Sequence, residues 1–362
     1  MPAEGPESSN AVAAGAAGPL STPEALRAST GPGTPRPWWR KLDWRVAAAL
    51  AATYVFFGSG PAGARAALTS LPPLGLVAVR GLVAGAFLLV WAIKSGAPPP
   101  SRRQWIPAIA IGILILALGA GTGTVGQRTI PSGVAGVLSG LLPLFAGCLG
   151  YALFRESLPR QGVLGLVVGF VGVGLLLRPG SNLDPFGLAL IVAGQVSWAL
   201  GAVLAPHFRL PDDPRVAAGV ELMGGGAMLL VAALVFRDFD GLELGAVSLQ
   251  SWLGFGWLIL SAVVGFTAYG YLAKTVSASI ATTFSYVNPV VAMALGWLLF
   301  AEPVSMRMLL ATAVIVAGVC LIVSARSQAP ARARHPLTSG HGHVYVVRGP
   351  LPPALARSRT DA

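Results

Sequence analysis

Charge is scarce in this chain: 11% of its 362 residues are charged, against 54% hydrophobic residues and a mean hydropathy of +0.70. A soluble domain carries about a quarter of its residues as charges, so a water-surrounded core of this length is excluded and lipid is the implied solvent. Cysteine is nearly absent. Cys148 and Cys320 both fall in apolar stretches, where a thiol acts as a small apolar group, so no disulfide framework is expected. Histidine is also rare, and His335, His341 and His343 cluster in a Pro-rich tail that supplies no rigid geometry for a metal. The chain lacks H-E-x-x-H, G-x-S-x-G and Walker A patterns, which leaves an intramembrane enzyme or an ATP-driven pump without parts. No filter-like ring signature suggests a channel. Gly121-Thr122-Gly123-Thr124-Val125-Gly126 fits G-x-G-x-x-G formally, but it ends an apolar run instead of joining a strand to a helix. No cofactor is implied. The apolar runs do not alternate as a membrane barrel requires, and no basic start followed by an apolar core marks a cleavable signal.

What remains is long apolar segments. A spanning helix needs about 20 mostly apolar residues. Such stretches are expected near 46–64, 74–93, 106–125, 132–153, 162–178, 185–205, 217–236, 252–271, 278–300 and 307–325. Backbone groups inside lipid must be satisfied within the segment, so these runs are read as about ten helices of an all-α membrane protein. The net charge of +11 resides between the spans and in the tails, without a basic stripe interleaved with aromatics, which argues against nucleic acid. It fits the positive-inside rule with both termini cytoplasmic: Lys94, Arg102, Arg103, Arg155, Arg160, Arg209, Arg215 and Lys274 then lie inside. Residues 1–44 and 326–362 are expected to be disordered tails, the second one basic.

Residues 131–177 align without gaps onto 277–323. Ala135 matches Ala281, Ser139 matches Ser285, Pro143 matches Pro289, Gly150 matches Gly296, Glu156 matches Glu302 and Gly172 matches Gly318. The relation extends back to Val77 and Ala218. The chain therefore divides into repeats at 45–180 and 181–325, each of about five spans. An odd number of spans reverses the second repeat across the bilayer, giving two inverted five-helix repeats. Two halves able to exchange conformations suit a transporter.

Pro143 and Pro289 free the carbonyls of Ser139 and Ser285, either as packing kinks or, on the reading favoured by their recurrence, as cavity-lining hinges. Charges at bilayer depth are expensive and mark a pathway or a partnered site. Only Arg80 and Glu221 lie well inside spans, at corresponding repeat positions, and the inversion sets them about 10 Å apart in depth at a 1.5 Å rise per residue; an ion pair, the two ends of a zwitterion site, or a snorkelling Arg80 are the readings. Glu221 is expected to take up and release a proton during a transport cycle. Gln195, Ser197 and Trp198, Tyr54 and Ser59, Tyr269 and Tyr271, and Tyr286 and Asn288 beside Pro289 are candidates to line a cavity for a neutral or zwitterionic solute. Their alternative roles are interface anchoring and helix packing. Glu156 and Glu302 end their spans and are read as structural, capping the next helix or pairing with arginine. Gly81 with Gly85, and Gly224-Gly225-Gly226, permit close helix approach; such spacing also leaves a homodimer open.

The segments TVGQRTIPSGVAGVLSGLLPLF from Thr124, QVSWALGAVL from Gln195, AAGVELMGGG from Ala217 and FSYVNPVVAMALGWLLFAEPVS from Phe284 resemble the EamA-type branch of the drug/metabolite transporter superfamily. The likeness covers about residues 45–325 and is closest to bacterial inner-membrane members of unassigned substrate. It implies ten helices, two repeats, cytoplasmic termini, and export or exchange of metabolites such as amino acids driven by a proton or solute gradient. It also implies an acid at Glu221 and a base at Arg80. The functional expectation is an alternating-access permease of small metabolites in the inner membrane. The alternatives are a lipid-linked precursor flippase and a membrane scaffold or sensor without flux.

Overall fold

The computed structural model describes residues 43–156, 159–176, 183–276 and 278–328, with side chains left aside at 278, 279 and 326–328. The expectations for the tails, including the three tail histidines, lie outside the described residues. Every regular element described is helical. In chain order these are α1 (Trp44–Gly58), α2 (Gly60–Ala67), α3 (Pro73–Lys94), α4 (Arg102–Gly112), α5 (Thr122–Gly126), α6 (Ser132–Ser139) and α7 (Leu141–Phe154). There follow α8 (Arg160–Leu176), α9 (Pro185–Leu204), α10 (Pro214–Val235), α11 (Leu249–Thr275), α12 (Ala278–Ala281), α13 (Phe284–Phe300) and α14 (Met306–Gln328). A π-helical segment, Ile113–Gly121, joins α4 to α5.

Among the described residues, eight helical stretches are long and apolar enough to cross a membrane. Arg160–Leu176 and Phe284–Phe300 are apolar but shorter, at 17 residues each. At 1.5 Å per residue that is about 25 Å, under the roughly 30 Å of a hydrocarbon core.

Local chemistry explains where helices begin. Proline opens α3, α9 and α10, where its missing N–H is not needed. Asp184 accepts from the N–H groups of Phe186 and Gly187, and Asp213 accepts from that of Arg215. Matching ends of the repeat behave alike. Arg155 (φ 55°) and Ala301 (φ 51°) are both left-handed caps, and the N–H groups of Glu156 and Glu302 each return 3.2 Å to the carbonyls of Gly150 and Gly296. The breaks before these helices differ. In the first half the helix interrupts at Gly140, directly after Ser139. In the second, the single span expected at 278–300 is divided at Thr282–Thr283, ahead of Pro289, which sits inside a continuing helix. The Thr283 hydroxyl stabilises that break by donating to the Ile280 carbonyl at 2.7 Å and by pairing with the Tyr54 hydroxyl at 2.7 Å.

The two halves interleave. The most extensive contacts are α3 with α10 and α8 with α14, followed by α6 with α13, α9 with the π-helical segment, and α11 with α1. Glycines set the close approaches, and each pair runs antiparallel. A methyl group placed on Gly85 would stand 2.8 Å from the Gly219 carbonyl, and one on Gly226 2.9 Å from that of Ala78. The α8–α14 contact is reciprocal in repeat coordinates. Gly172 faces Ala311 and Ile315, while its match Gly318 faces Gly165 and Gly169, the matches of those two residues. The close-approach role expected for Gly81, Gly85, Gly224, Gly225 and Gly226 is what these contacts display.

Polar contacts between the halves gather at helix ends. Asp238 accepts 2.9 Å bonds from the N–H groups of Leu74 and Gly75 at the start of α3. Glu302 accepts from the N–H and hydroxyl of Ser132 (2.8 and 2.9 Å) and from the N–H of Gly133 (2.8 Å) at the start of α6. Thr129 donates to Asp184, and Thr69 and Ser70 meet Ser248 and Ser251. Glu302 is thus a cap, as expected, but of α6 in the other half and not of the helix that follows it.

Candidate functional site

The α3–α10 crossing carries both intramembrane charges. Arg80 precedes Gly81, which faces Leu116 of the π-helical segment and the Leu222 carbonyl; Glu221 precedes Leu222. The glycine contacts set Glu221 level with about Gly85, so it lies roughly 7 Å from Arg80 along the helix axes at 1.5 Å per residue. No ion pair joins the two. The Arg80 Nε is buried and finds no hydrogen-bond partner. A charged donor in that position is costly unless something else satisfies it.

The π-helical segment is the hub that gathers the other candidates. Gly112, just before it, lies directly against the backbone of Glu221, an approach that any larger residue would block. Its Leu114 carbonyl, released by the wider turn, accepts a 2.8 Å bond from the Ser197 hydroxyl of α9. Gly119 packs against Trp198 and Gly194, so α9 presents Ser197 and Trp198 to the same segment. The segment and the glycine before it therefore touch both the Glu221 backbone and Ser197 and Trp198 of α9, while Gln195 is half-buried on α9. Nothing in the sequence pattern announced the π-helical turn, because its residues are ordinary apolar ones.

The remaining candidates assemble around α13. Tyr54 is tied to Thr283, Phe284 makes edge contacts with Tyr269 and Phe57, and Tyr286 packs against the core around Ile315 and Leu144. The Asn288 Oδ1 is buried without a partner. Among the residues expected to act as hinges, Ser139 donates to the Gly136 carbonyl at 2.6 Å, Ser285 is buried, and Pro289 lies 3.5 Å from the position of a methyl on Gly140, so the break of one half meets the proline of the other. Ser59 accepts from the Trp257 indole at 2.8 Å. Tyr271 is exposed.

Several polar groups escaped the sequence reading. The Ser261 hydroxyl is buried and unpartnered on α11. His207 stacks on Phe154 with ring centroids 3.6 Å apart, and its Nε2 is buried without a partner. Two cavities of about 250 and 290 Å³ lie near the junction of α13 and α14, and neither is lined by Glu221 or Gln195. Among the described residues no group of His, Cys, Asp and Glu could hold a metal ion.

Sequence comparison adds the family. The model of the EamA-like transporter family matches residues 44–178 and 185–324. The chain belongs to the EamA-like transporter family. An Escherichia coli K12 protein named an uncharacterized inner membrane transporter, YedA, is 36% identical over 78% of this chain and 92% of its own length. A Bacillus subtilis protein named an uncharacterized transporter, YvbV, is 24% identical over 77% and 91%. A crystal structure whose name states no activity superposes with a TM-score of 0.57 at 21% identity, covering 78% of this chain and 98% of that one, a likeness of fold. This EamA-like chain is a multi-pass inner-membrane transporter of the drug/metabolite type.

Proposed function

We propose that this transporter moves small metabolites such as amino acids by alternating access, coupled to protons through Glu221. The observation that carries the reading is the unpaired Arg80 and Glu221 at the glycine-lined contact between α3 and α10, one helix from each half. A structural ion pair would close on itself, whereas separated charges leave both groups for a solute and a proton. The antiparallel packing of matched helices supports two inverted five-helix repeats and ten spans, with the two 17-residue helices as the fifth and ninth. With both termini cytoplasmic, the Asp238 and Glu302 caps would lie on the periplasmic side and close it. The Gly140 and Thr282–Thr283 breaks are the hinges, and Gln195, Trp198, Tyr54, Tyr286 and Asn288 contribute to the solute path.

The test is counterflow of labelled amino acids and other small metabolites in proteoliposomes, comparing wild type with Glu221→Gln at two pH values. Saturable flux whose pH dependence disappears in the variant is expected. Full, pH-dependent flux in the variant removes the proton role, and no flux of any solute by folded protein removes the permease reading.

A further inference from the structure

We propose that the groove at the junction of α13 and α14 is a binding site for an ethanolamine phospholipid. The larger cavity, about 290 Å³, is bounded by Glu302, Ser305 and Arg307 on its polar side and by Leu176, Met293 and Met308 on its apolar side. The smaller, about 250 Å³, shares Met293 and Val304 with it and adds Ala294 and Trp297, so the two form one groove with a polar and an apolar end.

The depth matches a lipid. The polar end lies where α13 stops at Phe300 and α14 starts at Met306, the level at which headgroups sit. Met293 lies two turns before the end of α13, about 10 Å into the apolar zone at 1.5 Å per residue. Trp297, 62% exposed, flanks the groove between these levels, where an indole anchors at the interface. The walls thus change from charged to apolar along the direction in which a headgroup gives way to an acyl chain.

The charges select the headgroup. Arg307 makes no ion pair among the described residues, and its guanidinium is suited to grip a phosphate through two bonds. Glu302 already accepts three bonds from Ser132 and Gly133, and a carboxylate has about four lone-pair directions, which leaves one for an ammonium. One cation and one anion fit a zwitterion that has both a phosphate and a hydrogen-bonding ammonium. A glycerol headgroup can donate a hydroxyl but brings no cation to balance the carboxylate, and a choline headgroup has no N–H to donate.

Native mass spectrometry of the delipidated full chain tests this, with dioleoyl phosphatidylethanolamine, phosphatidylglycerol and phosphatidylcholine added separately. Retention of the ethanolamine lipid is expected to exceed that of the other two by about tenfold and to fall by a similar factor in Arg307→Gln. Val304→Trp, which fills the groove without touching a charge, should lower retention while leaving the helical thermal melt unchanged. Equal retention of all three lipids, or no loss in either variant, overturns the proposal. Competition by free O-phosphoethanolamine as strong as that by the intact lipid overturns it too, since the apolar groove would then have no part. None of these outcomes depends on whether the protein transports a solute.

Discussion

The α3–α10 and α8–α14 crossings are built alike but differ in charge. Each joins one half to the other, runs antiparallel and owes its closeness to glycines: Gly81, Gly85, Gly219 and Gly226 in the first, Gly165, Gly169, Gly172 and Gly318 in the second. The second is closed by Ile315 and Ile322, fully buried apolar side chains. The first places Arg80 and Glu221 beside its glycines and adds the π-helical segment as a third party. Glycine packing therefore explains cohesion, and only the crossing that also carries charge has chemistry to offer a solute.

The sharpest way to break this contrast is to remove charge from one crossing and volume from the other. Arg80→Gln is expected to reduce counterflow about tenfold or more, the range of a lost charge-assisted contact, with little change in thermal unfolding. Ile315→Ala should do the reverse, costing about 2–5 kcal/mol of stability while leaving flux per folded molecule unchanged. Equal behaviour of the two variants in both assays would erase the distinction.

Adding volume should unite them. In Gly85→Leu the new side chain would meet the backbone of Gly219 and Met223, and in Gly165→Leu that of Gly318 and Ile322. Each is expected to lose about 1–3 kcal/mol in detergent melts, because backbone cannot move aside as a side chain can. A smaller loss, about 1–2 kcal/mol, is expected for Glu302→Gln, which weakens the cap on α6 but retains one acceptor oxygen.

The smallest effect concerns acid sensitivity at the helix starts. The Thr129 hydroxyl, then the Gly187 N–H, hold the Asp184 carboxyl below its usual range, and the Arg215 side chain does the same for Asp213. A depressed value means the stabilisation is present above the ordinary carboxylate range and is lost as pH falls through the folded value. Wild type should lose melting temperature below about pH 4, and Asp184→Asn with Asp213→Asn should lose less over that interval.

Much of this architecture was written locally. Long apolar runs made helices because lipid cannot satisfy a backbone, and Pro73, Pro185, Pro214, Asp184 and Asp213 marked where helices begin. The correspondence of Glu156 with Glu302 and of Arg155 with Ala301 could be aligned by eye, and their shared caps follow from it. Three matters required the packed molecule. The division at Thr282–Thr283 rests on Tyr54, 229 positions away. Glu302 caps α6 because two distant helix ends meet. The inverted spans already set Arg80 and Glu221 apart in depth, but the register that fixes the distance depends on which glycines interlock along α3 and α10. Sequence by itself determined which segments are helical, because backbone hydrogen bonding is local. Tertiary structure alone decided which polar groups pair and which stay available, because that depends on side chains brought together from opposite halves.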